Sequence, residues 1–232
     1  MSQRVLLSWS SGKDSAWALH VLRQQPGVEV VGLLTTFNEA VDRVAMHAVR
    51  RSLVDAQAAG TALPLWAVAL PSPCSNAAYE ERMSSVFEMA RDRDVTHVAF
   101  GDLFLEDVRQ YRIRQLAGTG LEPLFPLWGS PSDTPALARR MLDAGLRAVL
   151  TCVDPARLQP HFVGRLYDAA LLADLPASVD PCGEGGEFHT FCFDGPMFAS
   201  EIPIRVGEAV FRDGFHFIDL LAMEAASCDP GC

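Results

Sequence analysis

A short run near the start of the chain, Ser8-Trp9-Ser10-Ser11-Gly12-Lys13-Asp14-Ser15, has residues suited to phosphate chemistry. It separates an apolar strand-like stretch from an apolar-periodic helix. The first N–H groups of a helix have no intrahelical partner, and with the helix dipole they favour an anion. Ser10, Ser11 and Ser15 would add hydroxyl donors. Gly12 would let the backbone come close, and Lys13 supplies a full positive charge. Asp14 has the wrong sign to touch phosphate, so its simplest roles are to hold Mg²⁺ against the phosphates or to cap the helix. The competing reading is a polar turn before a well-capped helix. Two common phosphate patterns fail: the Walker spacing needs glycine where Leu7 stands, and the dinucleotide pattern needs glycines this loop lacks.

Two later stretches carry further chemistry. Gly101 and Asp102 fall where an apolar run, "THVAFGD", should end as a strand. A carboxylate there could hold Mg²⁺ or a substrate amine. Arg109, Arg112 and Arg114 follow on a helical pattern, where 109 and 112 share a face and 114 points away. The plain alternative for each is a solvated helix face. "CGEGGEFHTF", residues 182–191, packs three glycines beside Glu184 and Glu187, with Thr190 following. Paired carboxylates suit a general base, a cation site or recognition of an amine. The plain alternative is a surface turn.

The surrounding elements must position these residues. Strand-like runs "RVLLS", "VEVVGLLTTF", "LPLWAVAL" and "THVAFGD" alternate with helical ones up to about residue 120. "AMHAVRRSLVDAQAAG" reads as a helix stopped by Gly60, and His47 on it could face a pocket or solvent. Ser75 or Asn76 is a plausible N-cap for the next helix. "LEPLFPLW" reads as a short extended segment, "DTPALARRMLDAG" as a helix and "LRAVLTCV" as a fifth strand. This order predicts an α/β fold with a doubly wound parallel sheet, its strands apolar throughout because helices cover both faces. Ligands bind such sheets at the carboxyl ends of the strands. After residue 153 the chain reads as mostly helical to 176, turn-like over 179–198, and a hairpin over 205–220 turning at Asp213-Gly214. That predicts a smaller C-terminal α+β domain, with residues 1–127 in the first domain and 128–232 in the second.

The loop S-S-G-K-D-S after the first strand resembles the S-G-G-K-D-S loop of the PP-loop, or N-type, ATP pyrophosphatases, with Ser11 in place of the first glycine. The G-D-L…R-x-R…G-L-x-P-L-x-P-L-W and G-E-G-G-E-F-x-T stretches are similar to the diphthine–ammonia ligase family. The resemblance runs from residue 4 to about 195, with the motifs in the family's order. It implies a HUP-like ATPase domain joined to a small C-terminal domain, ATP and Mg²⁺ as cofactors, and cleavage of ATP to AMP and pyrophosphate. A carboxylate would be adenylated and then converted to an amide by ammonia. Ser8 to Ser15, including Trp9, would hold the nucleotide, with backbone groups of Thr35 and Thr36 and with Gly101 beside it. Asp14 and Asp102 would hold the metal. Lys13, Asp14, Asp102, Glu184 and Glu187 would be catalytic. Arg112, Arg114, Gly185, Gly186 and Thr190 would meet the acceptor. His189 stands where the family often has glutamate.

Composition narrows the partners. The 232 residues are 49% hydrophobic and 21% charged, which suits a globular chain with a sizeable core. A formal net charge of −10 argues against binding bulk nucleic acid. No apolar run is long enough for a membrane span, and the N-terminus does not read as a signal peptide, so a cytoplasmic location is expected. Six scattered cysteines without a C-x-x-C pair read as free thiols; Cys228 and Cys232 frame a terminal "CDPGC" that reads as a frayed tail. Phe211, Phe215 and Phe217 could serve a homodimer edge or a core. Two other functions fit the loop: a tRNA-modifying PP-loop enzyme, which needs a basic surface and often paired cysteines, and a non-catalytic ATP or AMP sensor, which needs no second domain bearing carboxylates.

Overall fold

The computed structural model describes residues 2–44 and 49–223. His47, Cys228 and Cys232 lie outside the described residues. Two sheets organise the chain. In the first, β1 (Gln3–Ser8) is central, paired in parallel with β2 (Val28–Asn38) and β5 (His97–Ala99). β4 (Leu65–Leu70) pairs in parallel with β2, and β6 (Glu122–Leu124) with β5. The two-residue β3 (Arg43–Val44) pairs antiparallel with the last residues of β2. The chain therefore builds outward from β1 in one direction and then returns to build in the other. That reversal lies between β1 and β5, where a crevice opens beyond their carboxyl ends.

The strands alternate as a two-sided sheet requires. Val5 and Leu7 point into one core with Leu33 and Ala99, while Leu6 points into a second with Leu34 and Val98. α1 (Lys13–Arg23) and α2 (Arg51–Thr61) cover the first face; α3 (Asn76–Asp92) and the end of α4 (Glu106–Leu116) cover the second. Ser75 does cap α3, accepting from Ala78 N at 3.2 Å. α2 runs one residue past Gly60 and ends on left-handed Ala62 instead. Gly60 has a different duty: a Cβ there would come within 3.3 Å of the Phe198 ring.

The second sheet has the order β8-β7-β10-β9, all antiparallel: β7 (Arg147–Val153), β8 (Phe188–Asp194), β9 (Ile204–Arg212) and β10 (Phe215–Ala222). "LRAVLTCV" thus belongs here and not to the parallel sheet, whose last strand is the short β6. Both positions bury a strand on two faces, so the apolar run is the same in either. Residues 154–176 are mostly turns, with only a 3₁₀ turn at Pro160–Phe162 and the short α6 (Ala169–Asp174), because Pro155, Pro160 and Gly164 interrupt the helical pattern. α5 (Thr134–Asp143) links the two sheets. Asp213 and Gly214 both have positive φ, as a two-residue hairpin turn between β9 and β10 needs. Phe217 is buried in that hairpin, while Phe211 is 63% exposed.

α1 is buried almost all round, from Lys13 through Ala16, Trp17, Ala18 and Leu19 to Leu22. A helix of this kind is enclosed on both sides. Here the parallel sheet lies on one side and β8 on the other, and one continuous core joins Leu7 and Leu19 to Val149, Phe191 and Leu220. A charge cluster adds a second tie. Asp219 of β10 accepts from Arg50 at 2.6 Å and from Arg43 at 3.0 Å. Among the described residues, no helix is long and apolar enough to cross a membrane.

The hydrogen bond from Arg50 is the main reason the Asp219 carboxyl is held below its ordinary value; Arg43 adds to it. A depressed carboxylate contributes stability that is present above its unfolded value of about 4 and lost as pH falls through the folded one. The Asp219→Asn variant should melt below the parent at pH 7 by about 2–4 °C, the equivalent of about 1 kcal/mol for partly exposed pairs in a chain this size. The gap should close as pH falls through the depressed folded value of Asp219. Thermal melts across pH check this; a gap that persists at low pH contradicts it.

Candidate functional site

The loop from Trp9 to Gly12 leaves β1 at the crevice and enters α1. Gly12 is the N-cap residue of α1, with extended backbone and no side chain of its own to cap the helix. Ser11 is left-handed, with φ +70°, and fully buried. That conformation costs a non-glycine residue about 1–3 kcal/mol, so it persists only where the surroundings hold it. The hold comes from three bonds. Cys192 N of β8 donates to Ser11 O at 2.9 Å, Gln57 Nε2 donates to the same oxygen at 2.9 Å, and Lys13 N donates to Thr190 Oγ1 at 3.1 Å. Ser15 Oγ donates to Gly12 O at 3.0 Å and also meets Ser10 Oγ at 3.2 Å. Gly12 has to be small, since a Cβ there would stand 3.2 Å from Thr190 O. Gly101 is tighter still: a Cβ would sit 3.0 Å from Ser15 N and 3.1 Å from the Asp14 carbonyl carbon.

Gln57 carries no signal in sequence, yet it is the polar hub behind the loop. It is fully buried; its Oε1 accepts from Trp9 Nε1 at 2.8 Å, and its Nε2 reaches Cys192 O at 2.6 Å as well as Ser11 O. Trp9 is therefore spent on the scaffold: its indole is buried against Gln57 and stands edge-on to Phe198. A glutamine one turn before a helix end, among alanines, gives no periodic cue to such a role.

Lys13 and Asp14 form the electrostatic centre. The Lys13 side chain is 2% exposed. Its ammonium donates to Asp14 Oδ2 at 3.0 Å and to the Cys182 carbonyl, and lies 5.4 Å from the centres of the Tyr167 and Phe188 rings. Burial alone would lower its pKa, but Asp14 and other nearby acidic groups outweigh that and raise it, so it stays charged. Burial raises the Asp14 carboxyl, against the pull of Lys13. Asp14 Oδ1 is buried without a hydrogen-bond partner. An orphaned carboxylate oxygen on the cleft wall is the kind of atom a cation would satisfy. Asp102 lines the same cleft and pairs with Arg112 at 3.3 Å. Among the described residues, no three His, Cys, Asp or Glu side chains cluster as a metal site, so a cation here would need phosphate oxygens to complete its shell.

One cleft brings together Ser8, Ser10, Gly12, Lys13, Asp14 and Ser15. The same cleft is lined by Gly101 and Asp102 just after β5 and by Arg112 of α4, with Glu184, Gly186 and Thr190 from the second half. A neighbouring cleft shares Ser8, Ser10 and Arg112 with it and adds Thr36, Tyr79 and Met83. Thr36 faces that space; Thr35, one residue earlier on the strand, turns away and donates to Trp9 O at 2.8 Å. Arg114 stands apart, in a groove with Glu80 and Tyr111.

The two glutamates separate. Glu184 lines the cleft and accepts from Leu103 N at 2.7 Å, which ties the glycine-rich loop to the end of β5. Burial pushes its carboxyl up to about 7. Glu187 is buried behind the loop, where Oε1 accepts from Asp180 N at 3.4 Å. Gly185 makes room for it, since a Cβ there would fall 2.7 Å from Glu187 Oε1. Thr190 serves the loop itself through Lys13 N. Burial also raises the Cys152 and Cys182 thiols to about 12 and the Cys192 thiol further, which leaves them protonated.

Residues 3–120 match the diphthamide synthase N-terminal domain, and residues 133–222 match the diphthamide synthase C-terminal domain. The chain is 28% identical to a protein named diphthine–ammonia ligase from Danio rerio, over 90% of this chain and 89% of that one. Proteins of the same name from Rattus norvegicus and Homo sapiens are each 24% identical, over 92% of this chain and 87% of theirs.

Two variants test the site's construction. Gln57→Leu leaves the Trp9 indole N–H buried without its acceptor and takes the amide donor from the Ser11 and Cys192 carbonyls, and should destabilise the chain by about 1–3 kcal/mol in urea unfolding. A loss below about 0.5 kcal/mol would remove Gln57 as the hub. Glu184→Gln keeps the oxygen that Leu103 N needs and removes the charge. A carboxyl raised to about 7 weakens the fold as pH climbs from its unfolded value to about 7. The variant should therefore melt a few degrees above the parent at pH 8 and level with it near pH 4. Equal melting at pH 8 contradicts the raised value.

Proposed function

The chain belongs to the diphthamide synthase family, and from that premise we propose that it is an ATP-dependent, amide-forming ligase that cleaves ATP to AMP and pyrophosphate. The observation that carries this reading is the start of α1 at the reversal of the parallel sheet, where the N-cap residue brings no side chain, with buried Lys13 and an unpaired Asp14 oxygen on the same cleft. The triphosphate lies over residues 8–15 and the adenosine in the neighbouring cleft beside Thr36. First-turn N–H groups, serine hydroxyls and the fixed positive charge of Lys13 face the charge that builds on the phosphates, the form of stabilisation that usually dominates such chemistry. Asp14 and Asp102 would hold Mg²⁺, which neutralises phosphate charge when bound.

An oxygen of the acceptor carboxylate bonds to the α-phosphorus, the bond to the bridging oxygen breaks, and pyrophosphate leaves. Ammonia then bonds to the acyl carbon, AMP leaves on its oxygen, and the nitrogen gives up a proton. Glu184, held near neutrality on the same cleft, is placed to take that proton. Arg112 and Gly186 stand on the acceptor side of the cleft. The acceptor is a carboxylate-bearing molecule, free or protein-borne, and the work is done in the cytoplasm. The relatives favour this reading over a tRNA-modifying enzyme or a nucleotide sensor.

Lys13 also holds the Cys182 carbonyl, so the test keeps a donor there. With Mg²⁺-ATP, ammonium and a small-molecule cell extract, the parent should release AMP and pyrophosphate. Lys13→Gln should lose about 10²–10³-fold in rate while its circular dichroism shows it folded at the assay temperature, with a lowered melting point from the broken buried pair. Formation of ADP and phosphate, or undiminished turnover in Lys13→Gln, contradicts the reading.

A further inference from the structure

A third cleft opens where the end of β2 and β3 face the β9–β10 hairpin. Its walls are apolar: Val41, Val44, Cys152, Phe215 and Phe217. The Phe215 and Phe217 rings lie 6.3 Å apart. Nothing in the proposed nucleotide contacts uses this space, yet it is joined to them. It shares Val44 and His189 with the adenosine-side cleft, and His189 with the phosphate cleft. Among the described residues, His189 is the one that lines all three.

The position of that junction matters. The phosphate cleft and the adenosine-side cleft meet at Ser8, Ser10, Phe100, Arg112 and His189. In ATP, the atom between the terminal phosphates and the adenosine is the α-phosphorus. A nucleotide spanning both clefts places that atom at this shared wall. A ligand in the third cleft meets it at His189.

Charge then selects the ligand. Among the described residues, Arg43 and Arg212 line the third cleft with one carboxylate, Asp213, which pairs with Arg212 at 3.3 Å. Arg43 and Arg50 share Asp219 behind it. Two arginines and one aspartate on its described wall give the cleft a positive lining on a chain of net charge −10. Burial, with the charge of Lys13, lowers the His189 imidazole to about 4, so the ring is neutral near pH 7 and the positive charge of the cleft comes from its arginines.

We propose that the third cleft is the acceptor subsite, and that it takes an apolar, ring-sized arm ending in a carboxylate laid beside His189 at the α-phosphorus. The proposal rests on the ligase reading for its chemistry, and its binding test stands apart from turnover. The full chain is titrated with 3-(4-fluorophenyl)propionate in the presence of Mg²⁺ and α,β-methylene-ATP, followed by ¹⁹F NMR. Val41 is 54% exposed, so Val41→Glu adds a repelling carboxylate at the cleft without disturbing the core. The acid should bind the parent, and its Kd should rise at least tenfold in Val41→Glu while nucleotide affinity stays within twofold. The amine of the same arm, 4-fluorophenethylamine, should bind at least tenfold more weakly than the acid. No binding of the acid, equal binding in Val41→Glu, or equal binding of the amine overturns the proposal.

AMP release in parallel samples, with Mg²⁺-ATP in place of α,β-methylene-ATP, separates the two readings. AMP formed with an acid that ignores Val41→Glu removes the cleft and leaves the ligase. Binding that obeys Val41→Glu, with no AMP from any acid or from a whole-cell extract that keeps its proteins, supports the cleft and removes the ligase. An acid that binds and is turned over assigns the arm to a free molecule. One that binds and only blocks turnover of the extract's acceptor assigns it to a larger one.

Discussion

The first turn of α1 is shaped by the other half of the protein. Ser11 O takes a bond from Cys192 N, Lys13 N gives one to Thr190, and the Lys13 ammonium gives one to the Cys182 carbonyl. A phosphate loop on a parallel sheet is usually shaped by its own strand and helix. Here the antiparallel sheet closes it from above, and the left-handed backbone of Ser11 depends on that closure. The continuous core through α1 follows from the same demand, because a loop held from both sides requires both sheets to be fixed to one helix. The two halves are thus coupled at the site where the chemistry is proposed.

Burying Lys13 is the electrostatic counterpart. An ammonium moved out of water is costly unless it is paired and hydrogen-bonded. Asp14, the Cys182 carbonyl and two aromatic rings supply that compensation in the structure described. Asp14 keeps one oxygen unpaired on the cleft wall, which leaves the pair incomplete in a way that a cation with its phosphates would finish. Glu184 adds a second carboxyl whose burial disfavours its charge. A cleft with fixed positive charge and partly neutralised carboxyls is suited to a polyanion.

Much of this was legible in residues 3–16, where strand, serines, glycine, lysine and helix follow each other without interruption. Gly101 and Asp102 were legible because an apolar run ended there on the same sheet edge. The hairpin was legible from Asp213-Gly214. What escaped had physical causes. β7 is as apolar as a parallel strand because it too is covered on both faces, so its sheet cannot be told from its composition. Glu184 and Glu187 look like a pair by spacing, but the turn at Gly185 and Gly186 sends one into the cleft and the other behind it. Trp9 sits within the loop in sequence and yet turns into the core. Gln57 is recognisable only once the carbonyls it bonds are in place, since a buried amide leaves no periodic pattern.

The central claim is that nucleotide phosphates occupy the start of α1 between the two sheets. A crystal structure with Mg²⁺ and α,β-methylene-ATP tests it most directly. The account predicts the triphosphate over Ser10 to Ser15 and within reach of Lys13, the cation against Asp14, and the adenosine in the cleft beside Thr36. A nucleotide seated elsewhere, with the first turn of α1 free of phosphate, would contradict it.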